Sequence, residues 1–239
     1  MIEAVGLAVV LAVLPLAVVA VLLAVVAALF GEESVQHLSV GVLAIEVSML
    51  LVAGGYLLVL ASNDWPVRLS TPSAVDVGIG LLFFPLVLLT TQLQSLVGRA
   101  LDVENDDTPS DVDYSKPAMV LIALVLVGPA EELLYRGVVQ ELLVGPLGTV
   151  GGILTMAVLF GLVHYPSYGA DSVRDIDAGV VLGMAGTSVG GAAFGTLYVL
   201  TGTLLVPILV HSLYDALLFA DMVPGVDLSG EATSNKEAA

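Results

Sequence analysis

Residues 117–143 read PAMVLIALVLVGPAEELLYRGVVQELL, an apolar run as long as a membrane-crossing helix with Glu131, Glu132 and Arg136 near its centre. A helix needs roughly 20 mostly apolar residues to cross the hydrocarbon core of a bilayer. Placing an ionisable side chain near the centre of the bilayer costs about 2.5–3.5 kcal/mol. Each such residue therefore needs a structural or functional reason to be there. This run therefore predicts a membrane-spanning helix with a polar site inside it.

The same apolar pattern recurs along the whole chain. Of the 239 residues, 58% are hydrophobic and 12% are charged, and the mean hydropathy is +1.03. A soluble domain carries about a quarter of charged residues, so water is not the main solvent of this chain. We predict an all-α, polytopic transmembrane helix bundle of seven to eight spans, a multi-pass protein of the cell membrane. The predicted spans are 4–30, 38–61, 74–97, 117–143, 147–165, 178–200 and 203–222.

The chain is predicted to form one helical membrane unit with three regions. Residues 1–115 supply N-terminal transmembrane helices without an assignable motif, residues 116–223 form a helical core that carries the polar residues, and residues 224–239 form a disordered acidic tail. The first apolar run lacks the basic start of a signal peptide and is too long for its apolar part, so we interpret it as a span.

The charge balance limits the possible partners. The chain has 6 Lys and Arg against 23 Asp and Glu, a net charge of −17. This balance argues against nucleic acid and anionic lipid surfaces as partners and leaves the lipid interior as the surrounding medium. Abundant loop carboxylates and scarce lysine are typical of halophilic proteins, with a conventional acidic tail as the alternative. The absence of cysteine excludes disulfides, thiolate metal ligands and a cysteine nucleophile.

Two of the three charged groups in the fourth span can pair with each other, and the third, Glu131, has no such partner. Glu132 and Arg136 are four residues apart, which places them on one helix face with the acid first. Arg136 can therefore hold the Glu132 carboxylate ionised. A purely structural ion pair that joins helices is the alternative for these two residues. Glu131 points about 100° away from Glu132 and is left free for chemistry.

Two histidines and an aspartate complete the set of polar groups. His164 ends the fifth span, where an interfacial histidine satisfied by the helix end is the simpler alternative. His211 and Asp215 are four residues apart in the last span, so the carboxylate can orient the imidazole. A hydrogen-bonded helix clamp is the alternative for this pair.

Carboxylates and imidazoles from three successive segments are the groups that activate water. A glutamate can act as a general base, and imidazoles can transfer protons or bind a metal. At 1.5 Å per helical residue, Glu131 and His164 are predicted to lie at similar depths. His211 reaches that depth only if the turn at 201–203 lies below the membrane surface, which is allowed where the backbone faces protein.

At these residues the sequence resembles the CPBP family of intramembrane proteases, also called CAAX-protease or Abi proteins, here in a haloarchaeal-type form. The resemblance covers roughly residues 125–220. It rests on three motifs in order: EExxxR, FxxxH, and a histidine followed four residues later by Asn or Asp. The motifs are met by Glu131, Glu132 and Arg136, by Phe160 and His164, and by His211 and Asp215.

The resemblance implies an intramembrane endopeptidase that acts on a peptide or protein substrate in or near the membrane. Glu131 would be the general base that activates water together with His164, and Glu132 would be the second acid of the site. His211 and Asp215 would stabilise the oxyanion or help to bind a metal. The metal alternative is a divalent ion such as zinc held by Glu131, His164, His211 and Asp215, and a metal-free mechanism stays open. Prenylated substrates belong to only one branch of the family.

Two other functions remain open from the sequence. A proton- or cation-coupled transporter would use the buried acids and histidines as a relay, and Glu46 in the second span fits it because it lies outside the motifs. Hydrogen bonding of Glu46 to a neighbouring helix is the simpler expectation. The other alternative is a non-catalytic membrane scaffold of the same fold.

Overall fold

The computed structural model describes residues 1–35, 37–59, 67–101, 103, 116–168, 174–220 and 222, and within them every regular element is helical. This confirms the predicted all-α class. The α-helices are α1 Ile2–Phe30, α2 Leu38–Val59, α3 Ala74–Ala100, α4 Lys116–Ile122, α5 Gly128–Glu132, α6 Glu141–Val163, α7 Ala178–Thr201 and α8 Leu205–Phe219. Two π-helical stretches, Ala123–Val127 and Leu133–Gln140, flank α5. Short 3-10 turns cover Glu32–Val35 and Tyr165–Tyr168.

Five described helical stretches are long and apolar enough to cross a membrane. They are Ile2–Phe30, Ser39–Val59, Ala74–Ala100, Pro117–Val163 and Ala178–Thr201. This count differs from the predicted seven for two reasons. Two predicted spans fall in the 47-residue stretch Pro117–Val163, and the last helix, α8, has only 15 residues.

The stretch Pro117–Val163 folds back on itself at Gly148. At 1.5 Å per residue its 47 residues would extend roughly 70 Å, more than twice the thickness of a bilayer core. Gly148 has φ 72° and ψ 170°, which is not helical and which suits glycine. Tyr135 and Phe160, on either side of this break, pack edge to face with ring centroids 4.8 Å apart. The chain therefore returns antiparallel, and the two arms bring their polar residues together.

The distribution of side chains is that of a membrane protein. Large apolar residues such as Leu82, Val150 and Leu209 are exposed, whereas charged residues such as Glu132 and Arg136 are buried. In lipid, apolar surface can face outward freely, but charged groups must find partners inside the protein. The chain is therefore a multi-pass membrane protein whose centre is more polar than its outer face.

Helix packing places the polar residues at one point. The α6 and α7 helices pack together, α3 packs on α7 and α8, and α5 lies against α8. At Gly128 in α5 the approach is so close that a Cβ atom would collide with Ser212 of α8. The residue of α8 that precedes Ser212 is His211, so this contact brings α5 and the last motif together.

The turn between α7 and α8 is buried. This agrees with the expectation that the turn lies below the membrane surface, which His211 needs in order to reach the depth of Glu131. Gly202 ends α7 in the left-handed conformation, with φ 63°. Thr203 and Leu204 are almost completely buried. The Thr203 hydroxyl donates to the Ser70 carbonyl at 2.6 Å, and the Leu204 N–H donates to the Arg68 carbonyl at 2.8 Å. The segment before α3 thus covers the turn and satisfies its backbone groups.

The three predicted regions differ in how far the structure describes them. The acidic tail 224–239 lies wholly outside the described residues, and the acidic loop 102–116 lies almost wholly outside them. The division into regions 1–115, 116–223 and 224–239 therefore stays a prediction.

Replacing Gly128 by alanine should destabilise the bundle, because the new methyl group would collide with Ser212 and lie 3.0 Å from the Ile208 carbonyl oxygen. Overpacking of this kind costs roughly 1–3 kcal/mol, which lowers the Tm of a chain this size by roughly 2–12 °C. Thermal unfolding in detergent measures the effect. The control is Gly55→Ala in α2, where nothing lies within 4 Å of the new methyl group. Equal Tm values for both variants would contradict the close packing of α5 on α8.

Candidate active site

The two adjacent glutamates lie on a very short α-helix between two π-helical stretches. The α5 helix contains only Gly128–Glu132, and the backbone widens on both sides of it. π-Helical turns are rare and occur frequently at functional sites, since they change the directions in which neighbouring side chains point. Glu131 is 6% exposed and Glu132 is fully buried. The sequence motif predicted the glutamates but not this backbone.

Glu131 lies between the two histidines. One carboxylate oxygen, Oε1, is 3.5 Å from His164 Nε2, and the other, Oε2, is 3.6 Å from His211 Nε2. The histidines come from different segments, His164 from the end of α6 and His211 from α8. Three separate parts of the chain thus converge on one carboxylate, as the sequence predicted.

The proton arrangement at His164 follows from its hydrogen bond to the backbone. His164 Nδ1 is 2.6 Å from the Phe160 carbonyl oxygen, which can only accept, so Nδ1 carries a hydrogen. In the neutral ring Nε2 is then an acceptor and faces the acceptor oxygen of Glu131. A proton or a water molecule must therefore connect these two atoms. Such an arrangement can take up and return a proton.

His211 is held by carboxylates through both ring nitrogens. Its Nδ1 is 2.7 Å from Glu132 Oε1, and its Nε2 is 3.3 Å from Asp215 Oδ2. The contact with Asp215 is the predicted pair at a spacing of four. The contact with Glu132 was not predicted, because it joins residues 79 positions apart that only the packing of α5 on α8 brings together.

Arg136 is completely buried and neutralises Glu132. Its Nη1 is 3.1 Å from Glu132 Oε1, and its Nη2 donates to the Gly191 carbonyl at 3.2 Å. The guanidinium lies between two aromatic rings, 4.6 Å from the centroid of Phe160 and 5.5 Å from that of Phe194. Such cation–π contacts hold a desolvated cation in place. The predicted supporting residues Arg136 and Phe160 are thus part of one packed unit.

Phe194 also belongs to the site, although no sequence motif includes it. Its ring stacks on the imidazole of His211, with centroids 4.5 Å apart and planes 20° apart. On the other side of the site, Phe160 contacts the ring of His164 at 4.5 Å. Each phenylalanine therefore touches Arg136 and one histidine. Phe194 belongs to no motif and stands in an apolar helix among many apolar residues, so no sequence signal marked it.

A cavity of about 420 Å³ opens beside these groups. Its wall is mostly apolar and includes residues of α1, α2, α3, α7 and α8. The ionisable side chains in its wall are Glu46, Glu131, His164, His211, Tyr135, Tyr168, Tyr214 and Asp215. An apolar cavity with a few convergent polar groups is the usual form of a binding or active site.

The candidate metal ligands Glu131, His164, His211 and Asp215 lie 3.3–3.6 Å apart in pairs. Zinc ligand atoms lie about 2.0–2.2 Å from the metal. Among the described residues, no group of three or more histidine, aspartate or glutamate side chains is arranged to hold a metal. The Nδ1 atom of His211 is also engaged with Glu132. The ligand set Glu131, His164, His211 and Asp215 therefore stays a proposal.

The comparison with known families identifies a match in the same part of the chain. Residues 114–217 match the family model of the type II CAAX prenyl endopeptidase Rce1-like proteins. The matched segment contains both glutamates, both histidines, Arg136 and Asp215. No curated protein and no solved structure shows significant similarity to the chain.

Removing the positive charge of Arg136 should strongly destabilise the protein, because Arg136→Met leaves Glu132 as a buried, uncompensated carboxylate beside His211. Breaking one partner of a buried ion pair costs roughly 3–5 kcal/mol. The double variant Glu132→Gln/Arg136→Met removes both charges and should recover much of that loss. Chemical unfolding in detergent measures all three proteins. A double variant no more stable than Arg136→Met would contradict the pairing.

Proposed function

We propose that this chain, whose residues 114–217 match the Rce1-like family model, is an intramembrane endopeptidase of the CPBP type in which Glu131 and His164 activate water. The observation that supports this most directly is the position of Glu131, with an imidazole nitrogen 3.5 Å from one carboxylate oxygen and another 3.6 Å from the second. Few structural roles require a buried carboxylate between two histidines inside a membrane helix bundle.

The proposed reaction begins with a water molecule held by Glu131 and His164. Glu131 takes a proton from the water as the oxygen attacks the carbonyl carbon of the peptide bond. The tetrahedral intermediate then collapses, the carbon–nitrogen bond breaks, and the leaving nitrogen receives the proton from Glu131. His164 supports both transfers, since its Nδ1 is fixed on the Phe160 carbonyl while Nε2 faces Glu131.

His211, with a proton on each ring nitrogen, is proposed to stabilise through Nε2–H the negative charge that develops on the carbonyl oxygen. A preorganised donor near a developing oxyanion is worth about 10²–10³ in kcat. Glu132 holds the ring through Nδ1, and Asp215 lies near the reactive side of the ring at Nε2. In this proposal Arg136, Phe160 and Phe194 are positioning residues that keep Glu132 and the two rings in place.

A divalent metal such as zinc remains the alternative. Glu131, His164, His211 and Asp215 would be its ligands, after movements of these side chains from the positions described above. A bound metal would polarise the carbonyl group and lower the pKa of a coordinated water.

The substrate is proposed to be a peptide or protein segment within reach of the membrane. The wall of the cavity is largely apolar, which suits an apolar segment. The match to the endopeptidase family favours hydrolysis over the alternatives of coupled transport and of a non-catalytic scaffold. The halophilic origin suggested by the acidic composition stays a prediction.

The first test removes the two groups that would activate water. In liposomes with a peptide library, Glu131→Gln and His164→Ala should each lower kcat by about 10²–10⁴, the usual contribution of general acid–base catalysis. Cleavage is measured by mass spectrometry of the products. The control is Glu3→Gln, which changes an exposed acid at the start of α1 and should cleave like the unchanged protein. Equal cleavage in all four proteins would show contamination and exclude the proposed function.

The second test addresses the metal. After dialysis against EDTA and 1,10-phenanthroline, we expect the cleavage rate to be unchanged, because in the proposed mechanism Glu131 and His164 activate water without a metal. Elemental analysis of the purified protein is the parallel measurement. Loss of activity that zinc restores would contradict the metal-free mechanism and support the four-residue ligand set.

A further inference from the structure

Glu46 is a buried acid that the proposed reaction does not use. It lies in the middle of α2, is 3% exposed, and lines the same cavity as Glu131 and Asp215. The α2 helix lies outside the matched segment 114–217, so no family motif accounts for this residue. A glutamate near the centre of a membrane helix costs about 2.5–3.5 kcal/mol, and such residues are functional by default.

No group in the described part of the chain satisfies Glu46 at its second oxygen. Oε2 is buried and has no hydrogen-bond partner. The simpler expectation from sequence, a hydrogen bond to a neighbouring helix, is therefore not met at this atom. Leaving a buried polar group unpaired is destabilising, and more so for a charged group. Because Glu46 is part of the cavity wall, a group that enters the cavity can supply the missing partner after a small movement of this side chain.

The positive groups nearby are already engaged. Arg136 is bound to Glu132 and to the Gly191 carbonyl. Both nitrogens of His211 lie beside carboxylates. Among the described residues that line the cavity, none is lysine or arginine. The cavity therefore contains an acid without a matching cation of its own.

The cavity wall that contains Glu46 suits a long basic side chain. It also includes apolar residues, among them Ile45 and Met49 of α2 and Leu16 of α1, as well as the acids Glu131 and Asp215. Lysine and arginine combine an apolar stem with a charged end, so the stem can pack on such a wall. The charged end can then form a charge-assisted hydrogen bond with the carboxylate, which is about twice as strong as a neutral one.

We propose that Glu46 forms the anionic end of a substrate subsite that takes a lysine or arginine side chain close to the bond that is cut. This rests on the proposed peptidase function and adds a substrate preference to it. The helices outside the matched segment would then contribute to specificity, while the matched segment contributes the chemistry.

The test compares arginine with citrulline, which has nearly the same shape and no charge. A series of short apolar peptides carries one arginine that moves along the sequence, and a second series carries citrulline instead. At one position the unchanged protein should cleave the arginine peptide with a kcat/KM about tenfold higher or more, the factor that corresponds to about 1.4 kcal/mol. In Glu46→Gln this ratio should fall close to one. Glu46→Asp, which keeps the charge, should retain part of the preference.

The ratio is measured within each protein, so a partial loss of folded enzyme does not affect it. Glu33→Gln, which changes an exposed acid before α2, is the control and should keep the full preference. No arginine preference in the unchanged protein, or a preference that persists in Glu46→Gln, would overturn the proposal.

A binding measurement separates this proposal from the proposed function. Fluorescence anisotropy with labelled peptides in the Glu131→Gln background should show tighter binding of the arginine peptide, and the added Glu46→Gln change should remove the difference. If no peptide is cleaved by any variant while this selective binding is present, the peptidase proposal fails and the subsite stands. If peptides are cleaved but no selective binding is found, the peptidase proposal stands and the subsite proposal fails.

Discussion

The structure depends on the neutralisation of the Glu132 carboxylate inside the bilayer. Glu132 is fully buried, and a lone carboxylate there would be far less stable than in water. Arg136 at 3.1 Å and His211 at 2.7 Å compensate it. Arg136 lies on the same arm of the folded stretch Pro117–Val163 as Glu132, and His211 lies on α8. Pairing Glu132 with both residues therefore brings α5 and α8 together. Glu131, the preceding residue, is brought into the centre of the bundle by the same contact.

The aromatic residues extend this constraint to the rest of the site. Phe160 and Phe194 lie on either side of the Arg136 guanidinium, and each also contacts one histidine ring. The charged centre and the two imidazoles are therefore packed as one unit. A rigid arrangement matters for catalysis because a preorganised site does not have to reorient during the reaction. The polar groups that line the cavity lie on one side of this packed unit.

The N-terminal helices pack against the site and form part of the cavity wall. The α1 helix packs on α6 and on the π-helical stretch Leu133–Gln140, and Tyr135 donates a hydrogen bond to the Ala12 carbonyl at 3.2 Å. With α2, this helix forms part of the cavity wall. Glu46 is the ionisable group that this part of the wall contributes. A division in which one region performs chemistry and another shapes the cavity is consistent with motifs confined to the C-terminal part of the chain.

The sequence by itself determined the helical membrane class and indicated the candidate residues of the site. Long apolar runs can only be helices in lipid, where each backbone group must be satisfied within its own segment. Charged groups within such runs are so unfavourable that Glu131, His164 and Asp215 stood out from their neighbours without any structure. Local spacing also predicted the pairs Glu132–Arg136 and His211–Asp215, since residues four apart share a helix face.

Tertiary structure alone decided how these groups meet. Two contacts join residues that are distant in the sequence: Glu132 with His211, and Phe194 with His211. The unpaired oxygen of Glu46 depends on which side chains the neighbouring helices place around it. The break at Gly148 and the π-helical turns around α5 set the directions in which side chains point. Periodicity carries no information on such contacts, because an apolar run looks the same whichever helix it packs against.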